Sequence, residues 1–544
     1  MSAMATGPEG DGRRAVVEHL GDEAGLRLLE ELVAIAPTNL EDLASGRFEK
    51  PNYLRAAEAV ARWARQFGLA TRIFDPVTEG IGEGLRGIPR PNVVVDLDRG
   101  AAETVLVLAH FDVVPVPAEQ RARWKSPPHS VTLKPDGRLY GRGTNDDLGS
   151  GVTSTLLALR RLAENDRLAR NVRLLACCDE ETGGGGGIEA LREHDAALPE
   201  GSRERIVVGD VALIPDGSPH TTVGSSGVAF LEGRRHLPGR LRDAVRYGET
   251  LVGLDALTRT WTSAGRSPDW PDRHAPEPTI TGRASLTKLD LAVDPTGGGA
   301  CLLTVHAESD AANQIARTVT LVLGGPAAAR RASFERLRTV LPAPFHLEEG
   351  GSTALSVPPD TLVAQVVGVA AHGGYPHRGH NPVPATLGLL RSALEQGTLP
   401  DGALRSATYT VDLRLPPEME LPDATSQAFR DVARRAGDEA TRFDLTAPPA
   451  RCRPGYSLPP EHPAAAKLER IVRAELGQAG LFGEYGGTDA SSLRGLTSRS
   501  GGALPALVFG SMDDAANIHD VDESVDPRLI AGVSRTIERF VLEP

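Results

Sequence analysis

A five-residue apolar run, Val105-Leu106-Val107-Leu108-Ala109, leads straight into His110-Phe111-Asp112. No other feature constrains the fold more. A continuous apolar strand needs cover on both faces, as the central strands of parallel sheets have, and here it delivers reactive side chains at its carboxyl end. The surrounding pattern agrees. Helical spacing runs over residues 53–67 and stops at Gly68, and β-rich stretches follow at Asn92–Leu97 and 104–109. A helix over 151–164, a buried strand over 172–177, a helix over 188–194 and a strand over 206–214 come next. Such alternation predicts an α/β fold, a mixed sheet with helices on both faces. Past residue 222 the character changes to short candidate strands (228–232, 287–292, 301–307, 318–323, 407–413) among Pro/Gly-rich loops, with 239–282 loop-rich and assigned no role. After Pro463 a helix over 464–476, a strand over 506–509 and a helix over 528–542 restore the first grammar. Three consecutive domains would fit this order. So would one α/β domain, built from residues 1–222 and 446–544, interrupted by an inserted α+β domain at 223–445.

Composition removes several classes of function. Of 544 residues, 59 are Lys or Arg and 72 are Asp or Glu, a net charge of −13. That balance opposes non-specific binding to nucleic acid or to an anionic membrane surface. No apolar run approaches the ~18 residues of a membrane span, and residues 1–18 lack the apolar core of a signal peptide. Cys177, Cys178, Cys301 and Cys452 form no disulfide framework, so a reducing, cytoplasmic setting is expected.

The candidate site residues fall where ligands of open α/β sheets gather, outside the carboxyl ends of strands. His110 and Asp112 follow the strand at 105–109, Glu180 and Glu181 follow that at 172–177, and Asp216 follows that at 206–214. Asp146-Asp147 ends the loop Gly141-Arg142-Gly143-Thr144-Asn145 just before a helix, and His519 lies in Asn517-Ile518-His519-Asp520 beyond the strand at 506–509. Each piece alone has an ordinary explanation, since paired acids are normally solvated loops. Their recurrence at equivalent structural positions points to a metal site. The run Gly183–Gly187 is not followed by Gly-Lys-Ser/Thr, which argues against a phosphate loop.

The strings Leu108-Ala109-His110-Phe111-Asp112-Val113-Val114-Pro115, Gly141 to Asp147, Asp179-Glu180-Glu181-Thr182-Gly183 and Asn517-Ile518-His519 resemble the metallopeptidase family of aminoacylases, carnosinases, desuccinylases and bacterial dipeptidases. The resemblance implies two Zn²⁺ ions, with Mn²⁺ or Co²⁺ as alternatives. Asp146 would bridge them, His110 and Asp216 would hold one, and Glu181 and His519 the other. Glu180 would be the general base and Asp112 would orient His110. Chemically this is coherent, because two close cations favour an anionic bridge and a nearby free carboxylate can take a proton from an acidified water. The resemblance also implies a cis peptide between Asp146 and Asp147.

In that family the inserted domain is a lid. Here Gly368 to Pro376 with Gly379-His380-Asn381-Pro382 resembles its histidine motif, which makes His372 the expected oxyanion stabiliser. Asp412-Leu413-Arg414 resembles the strand whose arginine grips a substrate carboxylate, and Asn313 in Ala312-Asn313-Gln314-Ile315 the asparagine assisting there. Gly486-Gly487-Thr488-Asp489-Ala490 resembles the substrate loop, with Gly487 in contact with substrate, although Ser491 stands where an arginine is frequent. Leu148 replaces a common lysine. The long insert, with Asn313 ahead of His372, is most similar to dipeptidases of the peptidase V type, whose enlarged lid imitates a dimer. That implies a monomer if the lid is doubled and a homodimer otherwise. The expected activity is hydrolysis of an amide beside a free carboxylate in a dipeptide, with N-acyl-amino-acid deacylation or desuccinylation at the same metal site as the alternative. An inactive peptide-binding homologue is the remaining alternative.

Overall fold

The computed structural model describes residues 8–38, 40–42, 47–49, 52–81, 87–116, 118–235, 239–261, 281–308, 313–350, 355–448 and 452–544. The chain forms two compact units, one from residues 1–224, 458–482 and 488–544, the other from 225–457 and 483–487.

The first unit is built on a mixed sheet. Its centre is four parallel strands in the order Ala506–Val508, Val211–Ile214, Glu103–His110, Arg170–Cys177. Antiparallel Asn92–Leu97 and Ala70–Phe74 extend it beyond Arg170–Cys177. All residues from Thr104 to His110 are buried, so this strand is covered on both faces, as its apolar run required. Helix Tyr53–Gln66 packs against the antiparallel strands, and Pro527–Leu542 packs on Arg170–Cys177 and on helix Ser154–Leu162. Because the central strands are parallel, their carboxyl ends open on one edge.

Two expectations change here. The strand over 206–214 shortens to Val211–Ile214, because the amides of Ile206 and Val207 instead donate to the Asp195 carboxylate, both at 2.7 Å. The helix expected over 151–164 begins with a wide π turn, Leu148–Thr153, before Ser154–Leu162. The widening has a local cause. A Cβ on Gly151 would sit 1.8 Å from Asp147 Oδ2, and one on Gly149 would sit 2.0 Å from the Thr144 carbonyl. The backbone is therefore folded tightly around the acid that follows Asp146.

The second unit carries an antiparallel sheet in the order His346–Glu349, Leu362–Val367, Thr318–Gly324, Cys301–Glu308, Arg283–Val293, Leu404–Leu415, Gly227–Arg235, Phe443–Thr446. Leu362–Val367 alternates between buried and half-buried residues, the period of a sheet packed on one face. Helices Leu241–Val252, Ala327–Val340, Pro382–Glu395 and Leu421–Ala436 contribute to its apolar core. The unit extends past residue 445, because Phe443–Thr446 and Cys452–Arg453 both pair with Gly227–Arg235. The 239–282 segment is also not simply loop. Leu241, Ala244, Val245, Gly248 and Leu251 line the buried face of a helix, and Asp243 caps it by accepting from the Arg240 amide. Residues 262–280, where Trp, Arg and Pro concentrate, lie outside the described residues. Among the described residues no helix is long and apolar enough to cross a membrane.

Candidate metal centre

Every acid and imidazole expected to ligate a metal lies in the first unit, at the carboxyl edge of its parallel strands. His110 closes the Glu103–His110 strand and is buried. Its Nδ1 sits 3.0 Å from the Asp112 carbonyl, and its Nε2 lies 3.1 Å from Asp146 Oδ1 and 3.9 Å from Asp216 Oδ2. On the other side, His519 Nε2 lies 2.9 Å from Asp146 Oδ2 and 3.0 Å from Glu181 Oε2. Asp146 thus turns one oxygen to each imidazole. Two groups of potential ligand atoms result, His110/Asp146/Asp216 and Asp146/Glu181/His519, each mutually within 4.8 Å. The peptide between Asp146 and Asp147 is cis.

The loops are set by buried hydrogen bonds. Asp112, fully buried, accepts the amides of Glu180 and Glu181 on its two oxygens, both at 3.1 Å, and so shapes the turn that presents Glu181. Asp147 Oδ2 accepts the His110 amide at 3.3 Å. Asp179 adopts a left-handed backbone (φ 62°), pairs with Arg90 at 2.5 Å and accepts the Gly186 amide at 3.2 Å. This explains the glycine run. A Cβ on Gly186 would meet Asp179 Oδ2 at 2.5 Å and one on Gly187 the Cys178 carbonyl at 2.0 Å, so the run folds back on Asp179.

Electrostatically the site is dominated by carboxylates. Burial, with the negative charge of Asp146, raises the Asp216 carboxyl well above the ordinary range, and Glu180 adds to that field. Burial also pushes Glu181 up to about 7, an effect His519 partly offsets. Burial disfavours a charged imidazole, yet Asp112 and Asp146 raise the pKa of His110, and Glu181 and Asp146 that of His519. Asp146 resists its own burial and stays far below the usual range because both imidazoles contact it. Glu181 Oε1 is buried without a hydrogen-bond partner, and His519 Nε2 faces only the carboxylates of Asp146 and Glu181. An orphaned carboxylate oxygen, clustered acids and a mixed N/O set together fit divalent cations.

The second unit holds the remaining candidates. Ala371–His372 pairs with Gln314–Ile315, which places Asn313 beside the His372 turn, and the Asn313 carbonyl accepts the Gly373 amide at 2.6 Å. His372 Nδ1 accepts the Gly374 amide at 3.2 Å. Arg414 is buried and its fork is already engaged, with Nε 2.7 Å from Asp412 Oδ1 and Nη2 2.8 Å from Oδ2. Its Nη1 donates to the Tyr485 carbonyl at 3.0 Å. Gly487 is exposed, with open space around its Cα. Sequence reasoning missed Arg283, a buried guanidinium in register with Arg414 and 4.2 Å from the Tyr485 ring. It also missed Glu523, whose Oε1 accepts the amides of Gly143, Asn145 and Asp146 at 3.0, 3.2 and 3.2 Å. No motif marks either residue. Glu523 follows His519 by four positions in an acidic loop, which was the only available signal. All four cysteines are free.

Comparison with known proteins agrees with this geometry. The chain is 32% identical over 174 residues to succinyl-diaminopimelate desuccinylase of Delftia acidovorans, covering 29% of this chain and 42% of that protein. It is 29% identical over 148 residues to a Cys-Gly metallodipeptidase of Schizosaccharomyces pombe, covering 26% and 30%. The chain therefore spans less than half the length of the curated relatives it matches. An M20 family metallo-carboxypeptidase of Sulfolobus solfataricus shares the fold, with a TM-score of 0.56 at 14% identity over 95% of this chain and 98% of that one. The model of peptidase family M20/M25/M40 matches residues 106–543, and the chain belongs to that family.

Proposed function

We propose that the protein is a di-metal hydrolase that cleaves an amide bond beside a free carboxylate, with a dipeptide as substrate. The observation that carries this is the Asp146 carboxylate, which faces His110 with one oxygen and His519 with the other, between two three-residue ligand groups. In this reading Asp146 is the shared ligand, His110 and Asp216 complete one position, and Glu181 and His519 the other. N/O ligand triads with room for a further ligand suit zinc, and manganese or cobalt also fit. Bound there, the two ions would polarise the amide carbonyl and acidify a water.

The chain's own groups do the rest. Glu180, on the turn that Asp112 holds, takes a proton from the attacking water and passes it to the leaving nitrogen, so that water and amide become carboxylic acid and amine. Asp112 keeps the His110 ring oriented through Nδ1. The roles of His372 in stabilising the oxyanion, and of Asn313, Arg414 and Gly487 in binding substrate, belong to the proposal and rest on their motifs. The nine strands of the second sheet support the enlarged, peptidase V type of lid and, with it, a monomer, and four free cysteines suit a reducing, cytoplasmic setting. N-acyl-amino-acid deacylation is the second reading, favoured by the alignment to a desuccinylase.

The test is turnover of dipeptides beside N-acetyl and N-succinyl amino acids, with Zn²⁺, Mn²⁺ or EDTA. Dipeptide cleavage that EDTA and Glu180→Gln both abolish supports the first reading. Turnover of acylated substrates alone moves the function to deacylation. Turnover undiminished by EDTA overturns both.

A further inference from the structure

We propose that Glu523 and Arg142 are positioning residues which, with Gln120, lock the Asp146 carboxylate against the His519 ring and thereby set the spacing of the two ligand groups. This rests on the reading of Asp146 and His519 as ligands. The two loops involved lie more than 370 residues apart in sequence, yet a closed hydrogen-bonded circuit joins them. Glu523 Oε1 holds the amides of Gly143, Asn145 and Asp146, and Oε2 takes Arg142 Nη1 at 2.6 Å. Arg142 Nη2 reaches the Asp520 carbonyl at 3.3 Å and Gln120 Oε1 at 3.4 Å. Gln120 Nε2 then donates to the carbonyl of His519 itself, at 3.2 Å. The circuit starts at the backbone of one ligand and ends at the backbone of the other.

Three observations favour a positioning role over a merely structural one. Both oxygens of Glu523 are occupied by donors, so it orients the site without ligating. Its side chain and that of Arg142 are each only 1% exposed, and a pair so deeply buried is a poor source of net stability, because desolvation cancels most of the attraction. What it supplies is geometry. Finally, His519 and Asn517 take left-handed backbones at φ 63° and 50°, uncommon for residues with side chains, so the turn gains from restraints around it. The bond from Gln120 to the His519 carbonyl is one such restraint.

The experiment titrates Zn²⁺ into chelator-treated full-length protein, in competition with a chromophoric chelator, and records thermal unfolding of the metal-free form in parallel. Glu523→Gln is expected to weaken zinc binding by about 10–100-fold, the usual cost of losing a partner that orients metal ligands. Gln120→Ala should weaken it by about tenfold, at the low end of that range. Arg173→Gln is the control. It breaks the Arg173–Asp96 pair within the sheet, at 2.6 Å, and touches no member of the circuit, so it should lower the melting temperature and leave zinc affinity unchanged. The proposal is overturned if Glu523→Gln and Arg173→Gln destabilise alike while both bind zinc as the parent does. Should Glu523→Gln fail to fold, Gln120→Ala decides, and unchanged affinity there overturns the proposal. A parent protein that binds neither zinc nor manganese would overturn the ligand assignment, and the proposal with it.

Discussion

Replacing Arg414 by Met separates two roles that the sequence motif cannot distinguish. The guanidinium is 2% exposed and its fork is filled by Asp412, which is fully buried. Removing the arginine leaves an unpaired buried carboxylate, at a cost of about 3–5 kcal/mol. The Tyr485 carbonyl loses one donor but keeps the Ser226 hydroxyl at 3.0 Å, so its share is small. At ~2–4 °C per kcal/mol for a unit of this size, the melting temperature should fall by about 6–20 °C. Replacing both partners, Asp412→Leu with Arg414→Met, should recover most of that loss, because an apolar pair of similar volume no longer buries a charge. Thermal and urea unfolding followed by circular dichroism measures both. A single variant costing under ~1 kcal/mol, or a double variant no more stable than the single, would mean that Arg414 does not offset a buried charge on Asp412. The folded double variant then tests substrate binding. If Arg414 also grips the substrate carboxylate, KM for a dipeptide rises with stability restored; an unchanged KM confines Arg414 to holding Asp412.

Three further outcomes are expected. Asp112→Asn leaves one of the Glu180 and Glu181 amides without its acceptor, and metal affinity measured by competition titration should fall about 10–100-fold; an unchanged affinity would show that the turn holds itself. In the metal-free protein, folded Glu181 keeps its proton to about 7 while the unfolded carboxyl releases it near 4.5, so stability falls as pH rises across that interval. His110 and His519, with raised folded values, stabilise the folded form below the ordinary histidine pKa of 6.5 and lose that contribution as pH rises through their own. Metal uptake displaces these protons, so zinc affinity should climb steadily between about pH 6 and 8, and a flat profile would contradict the assignment.

Much of the first unit was legible because its central strands are buried on both faces and therefore appear as apolar runs. Asn92–Leu97 matches its expected limits, and Glu103–His110 and Arg170–Cys177 extend theirs by one or two residues at the ends. The convergence of the candidate ligands was legible for a related reason: parallel strands send their carboxyl ends to one edge, so His110, Glu181, Asp216 and the loop of His519 meet there. The 206–214 run misled because Ile206 and Val207 are apolar yet spend their amides on Asp195. Helix Leu241–Val252 escaped notice although its apolar positions recur at helical spacing, since the arginine-, tryptophan- and proline-rich stretch beyond it dominated the composition. Arg414 was identified by motif, but nothing in Asp412-Leu413-Arg414 reveals that alternate residues on one strand face would pair with each other. Glu523 was invisible for the deepest reason. An acid in an acidic loop carries no sign that its carboxylate turns inward to collect three amides from a loop several hundred residues away.

In the proposed site Asp146 serves two metal ions at once. Metal content of the purified protein after zinc saturation and gel filtration counts them, with Asp146→Ala measured beside the parent. The parent should retain about two ions per chain and the variant should lose both, because each ligand group loses its shared carboxylate. A parent that saturates at one ion, or a variant that still holds one with undiminished affinity, would rule out a shared Asp146.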